Sequence, residues 1–230
     1  MIQKSFSIFV LFLFSSLVAC RASLEQRFFN ATITGDEKTI KEYIDTKKNV
    51  NITDKTKSSA LIYASGHGYL GIVKLLVENK ADVNLFNQFK RNALMMAVNF
   101  GHKEIVNYLL ENNADVNFAD EEGWTPALIA VKRNDLTTLK LLIDKKAKLN
   151  QQNKEGQTEI MLATFYDNKE IFYLLLKNKV DLNLKDQYKQ SVLLKAVNKG
   201  NIDFVKSMLN NKVQLNDKIN FHLMIKSIST

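Results

Sequence analysis

The chain has 230 residues and a formal net charge of +8, from 32 Lys and Arg against 24 Asp and Glu. Its single cysteine excludes an internal disulfide, and three histidines without further cysteines are too few for a metal cluster. The basic residues are interleaved with acidic ones, and runs such as Lys47-Lys48 and Lys145-Lys146 are only two residues long. This pattern favours a solvated surface over a tract that binds nucleic acid.

The first predicted element is a signal segment at residues 1–19. Lys4 provides a positive start, residues 6–17 form an almost continuous apolar run, and no acidic residue occurs before Glu25. The run is too short for a comfortable transmembrane helix, which needs about 20 apolar residues. We therefore expect residues 1–19 to be a signal peptide, and they are set aside in predicting the fold.

The signal segment ends in Leu17-Val18-Ala19-Cys20, which resembles the bacterial lipobox, where a peptidase cuts before the cysteine. The resemblance implies acyl chains such as palmitate on Cys20, a short tether at residues 20–23, and anchoring to a membrane. The location would be the bacterial cell envelope, extracytoplasmic, in the periplasm or at the cell surface. Two or more chains make such an anchor stable, since each buried methylene contributes about 0.8 kcal/mol. The alternative is an incidental cysteine in an ordinary signal peptide or a short anchor.

From residue 24 onward the chain repeats itself every 33 residues. One column of alanines and one of asparagines show the register: Ala31, Ala64, Ala97, Ala130, Ala163 and Ala196, and Asn51, Asn84, Asn117, Asn150, Asn183 and Asn216. Three further columns, which begin at Ile40, Ile44 and Val50, are apolar throughout. Such a period is typical of a stacked helical solenoid, in which adjacent repeats share a continuous core. The asparagines are expected to hydrogen-bond the local backbone where the chain turns.

The unit at residues 87–118 shows the predicted elements most clearly. We expect a first short helix at about residues 92–99, with Asn92 as its N-cap. Gly101 should end it, because a tight turn between helices needs a positive φ that glycine accepts cheaply. A second helix is expected at about residues 103–111 and places its apolar residues on one stripe: Ile105, Val106, Leu109 and Leu110.

These units resemble ankyrin repeats. Residues 68–76 and 101–106 match the GHxxIVxxLL pattern of that family. Residues 81–84 and 114–117 match its ADVN, and Thr125-Pro126 is the surviving TP of its TPLH tetrapeptide. The resemblance implies an all-α ankyrin-repeat solenoid of about six 33-residue helix–turn–helix units with short hairpin-like loops. The ankyrin-repeat domain would cover residues 24–230, with units at about 24–53, 54–86, 87–119, 120–152, 153–185 and 186–218 and a C-terminal cap at 219–230.

The chain departs from the family pattern at its glycines. The turn glycine between the two helices is lost at Asn134 and Asp167. The glycine after the second helix is replaced in five units, at Lys80, Asn113, Lys146, Lys179 and Lys212. Because a non-glycine residue in a left-handed conformation costs about 1 kcal/mol, we expect a modest stability.

The last segment is shorter than a full unit. Its apolar residues predict a short closing helix: Phe221, Leu223, Met224 and Ile228. End repeats are usually atypical because one of their faces meets water. The alternative is that this apolar tail docks on something else.

The sequence contains no nucleophile elbow, phosphate loop or HExxH, and no enzymatic activity, cofactor or metal is expected. In the family that the chain resembles, the loop tips and the exposed side of the first helix line a concave groove. Carried over by register, the groove positions include aromatic residues and arginines, which protein-binding hot spots use: Phe89, Arg91, Phe100, Trp124, Arg133, Phe165, Tyr166 and Tyr188. The alternative is that several of these rings pack between neighbouring loops.

The leading hypothesis is a membrane-tethered, extracytoplasmic ankyrin-repeat scaffold that acts as a monomer and binds an unidentified protein through its concave groove. An extracytoplasmic location would exclude nucleic acid as a partner. The alternative is a binder of anionic surface polymers or lipid headgroups that uses the basic surface. Such binding would collapse at high salt, since exposed charges are screened over about 8 Å at physiological ionic strength.

Overall fold

The computed structural model describes residues 23–211, which form a stack of twelve α-helices in six pairs without a β-strand in that range. The first helices of the pairs are α1 (Leu24–Thr34), α3 (Ala60–His67), α5 (Ala93–Phe100), α7 (Pro126–Lys132), α9 (Glu159–Phe165) and α11 (Val192–Lys199). The second helices are α2 (Glu37–Asp45), α4 (Leu70–Glu78), α6 (Lys103–Glu111), α8 (Leu136–Asp144), α10 (Lys169–Lys177) and α12 (Ile202–Asn210). The predicted all-α solenoid is confirmed.

Three predictions about the ends of the chain lie outside the described residues. These are the signal peptide at residues 1–19, the lipidation of Cys20 at the lipobox and the closing helix at residues 219–230. The exact bounds of the repeat units also stay predictions. Between residues 23 and 211, no helix is long and apolar enough to cross a membrane.

The helix ends follow from local sequence. Asn92 lies in an extended conformation and its side chain accepts the N–H of Met95 at 3.0 Å, so that α5 begins one residue later, as predicted. Gly101 then ends α5 with a φ of 80°. Asn134 and Asp167 keep this left-handed conformation without glycine, at φ of 55° and 54°. Each of these two residues carries a strain that glycine would avoid.

The non-glycine residues after the second helices also adopt the predicted left-handed conformation. The φ angles are 67° at Lys80, 65° at Asn113, 68° at Lys146 and 55° at Lys179, whereas Lys212 lies outside the described residues. The fold therefore maintains the turn at four described positions against an intrinsic cost of about 1 kcal/mol each.

The core runs continuously through the stack along the predicted columns. The alanine column is almost fully buried, which lets the first helices pack closely. The column that begins at Ile40 is buried in every described repeat, and it includes Phe172, whose ring stacks on Phe204 at 3.8 Å. The column that begins at Ile44 is mostly half-buried, because it packs against the edge of this core rather than inside it.

The asparagine column contradicts the expectation of local hydrogen bonds. Asn51 Oδ1 accepts the N–H of Asp82 at 2.7 Å, and its amide donates to the carbonyl of Lys80 at 3.1 Å. Bonds that span the same 31 residues reach the backbone of the next repeat from three further asparagines: Asn84, Asn117 and Asn150. These side chains therefore join neighbouring repeats, and the expectation was wrong because stacking brings the next loop closer than the local backbone.

Candidate binding groove

Five short hairpin-like loops, here called fingers 1 to 5, connect the repeats at residues 54–58, 87–91, 120–124, 153–157 and 186–190. Each finger is closed by the Asp or Asn at its first position: Asp54, Asn87, Asp120, Asn153 and Asp186. In finger 3, Asp120 Oδ1 accepts the N–H groups of Glu122 and Trp124, both at 2.9 Å. Sequence reasoning missed this column, although Asp or Asn recurs there at the 33-residue spacing.

The fingers are joined into a row by backbone hydrogen bonds between neighbours. Lys154 N–H donates to the carbonyl of Glu122 at 2.9 Å, and Gln187 N–H donates to that of Glu155 at 2.8 Å. The equivalent bonds link finger 1 to finger 2 and finger 2 to finger 3. This row holds the finger residues in fixed positions beside the ends of the first helices, and we call the surface between the two the groove.

The structure places most of the predicted aromatic residues in contact with solvent. The side chains that are 42% to 72% exposed are Phe89, Phe100, Phe165, Tyr166 and Tyr188. Trp124 is half-buried and packs against the core, with the Lys132 ammonium 4.7 Å from its ring centroid. Trp124 is thus the one predicted ring that is mainly packed, whereas the other five are at least 42% exposed. The binding role of all six stays a prediction.

The two predicted arginines are both exposed but differ in what they contact. Arg91 Nε lies 3.3 Å from the buried Oδ2 of Asp120, so that the ion pair links finger 2 to finger 3. Arg133 donates through Nη1 to the carbonyl of Asn99 at the end of α5. Arg133 therefore binds the helix end of the preceding repeat, which is a structural contact.

The predicted residues form two separate groups. Arg91, Phe100 and Trp124 line one cavity, which is described below. Phe165 and Tyr166 form an edge-to-face pair with centroids 5.0 Å apart, and the Lys199 ammonium lies 5.3 Å from the Phe165 centroid. The remaining three belong to neither group: Phe89 and Tyr188 lie on fingers 2 and 5, and Arg133 binds the end of α5.

The groove surface carries more basic than acidic side chains. On the fingers and the ends of the first helices the basic residues are Lys55, Lys57, Lys90, Arg91, Lys132, Arg133, Lys154, Lys189, Lys195 and Lys199. The acidic residues there are Asp54, Asp120, Glu121, Glu122, Glu155, Asp167 and Asp186, of which only Glu121, Glu122, Glu155 and Asp167 are exposed. Asp186, which is buried in finger 5, forms an ion pair with Lys195 at 2.5 Å. Burial alone would raise the pKa of Asp186, but the hydrogen bonds from Lys195 and Gln190 hold this pKa below its usual value.

One buried carboxyl lies away from the groove. Glu159 is fully buried at the start of α9, where the preceding repeat has Pro126. Its Oε2 accepts the N–H of Asn150 at 3.0 Å, and its Oε1 has no hydrogen-bond partner among residues 23–211. Burial raises the pKa of Glu159 to about 7. Since the side chain has no access to solvent, its role is in the core and not in binding.

The described part of the chain shows no arrangement suited to a metal ion, because no three His, Cys, Asp or Glu side chains are grouped there. Compared with known families, the chain matches the family model described as Ankyrin repeats (3 copies) over residues 28–120, 114–186 and 160–225. No curated protein sequence matches it. The family matches together include all five fingers and the first helices beside them.

Proposed function

Because the chain belongs to the ankyrin-repeat family, whose members are generally protein–protein interaction modules, we propose that it is a scaffold that binds a partner protein through the groove. The observation that carries this proposal is the set of exposed aromatic side chains on one row of fingers and helix ends. Aromatic and arginine side chains supply most of the binding energy at protein interfaces. The hydrogen-bonded fingers fix the backbone at two of these rings, Phe89 and Tyr188, before binding, which lowers the entropic cost of association.

The proposal is tested by affinity capture from solubilised native cells with the full chain as bait. The groove variant replaces Phe89 and Phe165 by alanine, since both rings are more than half exposed and their loss should leave the core intact. The control is Tyr173→Ala, which removes a 45% exposed ring from the second helix α10. We expect a captured protein that the groove variant loses and the control retains. Equal capture by all three folded proteins would overturn the proposal.

The scaffold is further inferred to be a monomeric lipoprotein, anchored at Cys20 to a membrane of the bacterial cell envelope and exposed outside the cytoplasm. The support is the tetrapeptide Leu17-Val18-Ala19-Cys20 after an apolar run, only a few residues before α1. Labelling of cells with a palmitate analogue should mark the wild type and not Cys20→Ala. An N-terminus that still carries an unmodified Met1 would contradict the anchor, and light scattering would test the monomer.

The excess of basic residues on the groove favours a second candidate, a binder of anionic surface polymers or lipid headgroups. The two functions differ in their salt dependence, because screening weakens contacts between exposed charges far more than buried apolar contacts. Binding that disappears at high salt and is unchanged by the loss of Phe89 and Phe165 would favour the second candidate.

A further inference from the structure

A cavity of about 150 Å³ opens into the groove between fingers 2 and 3 and helices α5 and α7. Its lining combines finger residues with residues of both helices: Arg91, Met95, Met96, Asn99, Phe100, Asp120, Trp124, Ile129 and Lys132. A cavity of about 150 Å³ is large enough for a group of the size of benzene. It can therefore receive one large apolar side chain from a bound protein.

The lining of the cavity is mixed, with polar side chains beside an apolar part that is adaptable. Met95 and Ile129 are buried in the core, and Met96 lies half-buried beside them. Phe100, 52% exposed, and Trp124, half-buried, provide two aromatic surfaces. Methionine side chains are flexible and make favourable contacts with aromatic rings, so that this surface can adjust to the shape of an inserted group.

Two cationic side chains at the cavity, Arg91 and Lys132, have N–H groups that no carboxylate binds. Both oxygens of Asp120 are already engaged, since its Oδ1 accepts two backbone N–H groups and its Oδ2 binds Arg91 Nε. Among residues 23–211, neither Nη group of Arg91 has a hydrogen-bond partner, and Lys132 has no ion pair. The Arg91 side chain is 50% exposed, which leaves its Nη groups within reach of a ligand. A guanidinium binds a carboxylate through two parallel hydrogen bonds when both Nη and Nε, or both Nη groups, are accessible.

We propose that this cavity receives a large apolar side chain from an acidic segment of the partner protein, with a neighbouring carboxylate of that segment bound by Arg91 and Lys132. The inference rests on the proposed function and specifies the chemistry of the partner. Charge complementarity supports it beyond the cavity, because basic residues outnumber acidic ones when the groove is taken as a whole, although finger 3 itself carries the exposed Glu121 and Glu122. An acidic segment would be attracted along this surface, and its apolar side chain would fix its position.

The test is a selection of random short peptides on the immobilised full chain, purified in detergent. We expect the enriched sequences to place Asp or Glu beside an aromatic or large aliphatic residue. The affinity of the best peptide is then measured by fluorescence anisotropy against two variants with matched controls. Phe100→Ala is paired with Tyr173→Ala, an exposed ring of the second helix α10 away from the groove. Lys132→Gln is paired with Lys74→Gln on the second helix α4, which also lies over an aromatic ring.

Phe100→Ala should weaken binding about tenfold and Lys132→Gln about fivefold, whereas each control should stay within about twofold of the wild type. Several results would overturn the inference: no enrichment, enriched sequences that are basic or lack a large apolar residue, or equal losses in the controls. Vesicles with phosphatidylserine provide a further comparison. Binding to them that Lys132→Gln weakens and Phe100→Ala leaves unchanged, in the absence of peptide binding, would assign the groove to lipid headgroups instead.

The test of the acidic segment can fail while the proposed scaffold function still holds. A partner that is lost from the Phe89 and Phe165 variant but fully retained by Phe100→Ala would leave the scaffold function in place and reject the acidic segment. Equal capture by every groove variant would reject both.

Discussion

Replacing the buried Glu159 by glutamine should stabilise the repeat stack at neutral pH. The carboxyl is in the core because the fourth repeat lacks an acceptor that other repeats have. Asp115 accepts the N–H of Asn117 at 2.9 Å, whereas Lys148 occupies the equivalent position before Asn150. The N–H of Asn150 is bonded instead by Glu159 at 3.0 Å. This single bond does not compensate a buried charge, since the other carboxyl oxygen is unpartnered within the described residues.

The size of the effect follows from the pKa of Glu159, which burial raises from 4.5 to about 7. The folded chain therefore retains a proton between these two pH values that the unfolded chain has lost. The free energy of unfolding consequently falls as the pH rises from about 4.5 to about 7 and stays lower above it. Each tenfold difference in acidity corresponds to about 1.4 kcal/mol, so that the ionised carboxyl costs on the order of 3 kcal/mol at high pH.

The assay is urea unfolding of the wild type and Glu159→Gln, followed by circular dichroism at about pH 5 and about pH 8. At the lower pH the two proteins should differ by less than about 1 kcal/mol, because the wild-type carboxyl is then neutral in the fold. At the higher pH the variant should be more stable by about 2 kcal/mol, since its unpartnered amide group offsets part of the gain. Glu155→Gln, an exposed finger residue, is the control and should change neither value. Parallel pH dependences of the wild type and Glu159→Gln would refute the reasoning.

Three further perturbations follow from the same structure, each measured by urea unfolding. Lys146→Gly should raise stability by up to about 1 kcal/mol because Lys146 has a φ of 68°, whereas Lys145→Gly, at φ −83°, should lower it. Asn84→Ala should cost about 1 to 3 kcal/mol, since Asn84 bonds the next repeat at the N–H of Asp115; a loss within error would show that these bonds are dispensable. Asp186→Asn should destabilise the chain near neutral pH. The difference in stability from the wild type should shrink as acid protonates the carboxyl, whose pKa in the fold lies below its unfolded value of 3.8. A difference that stays constant down to strong acid would contradict this.

The period and the composition of the columns were sufficient to predict much of the fold. A spacing of 33 residues identifies the repeated unit, and a column that is apolar at every step has to be buried between units, as Ile40 and its equivalents are. Local chemistry was equally informative at Asn92 and Gly101, because capping and a left-handed turn depend on the residue itself and its nearest neighbours.

The contacts between units depended on the tertiary structure. The partners of Asn51 lie about one repeat away in sequence, and no local pattern shows that stacking brings them to 2.7 and 3.1 Å from its side chain. The contacts of the groove residues also depend on how the repeats stack. Arg133 and Arg91 look alike in the sequence, yet Arg133 binds the end of α5 in the preceding repeat. Arg91 lines a cavity, and its Nη groups have no hydrogen-bond partner among the described residues. The sequence by itself determined which residues recur at each repeat position, because that depends only on spacing. The stacking of the repeats decided which of these residues contact a neighbouring repeat and which are exposed to solvent, because stacking sets the distances between residues far apart in the chain.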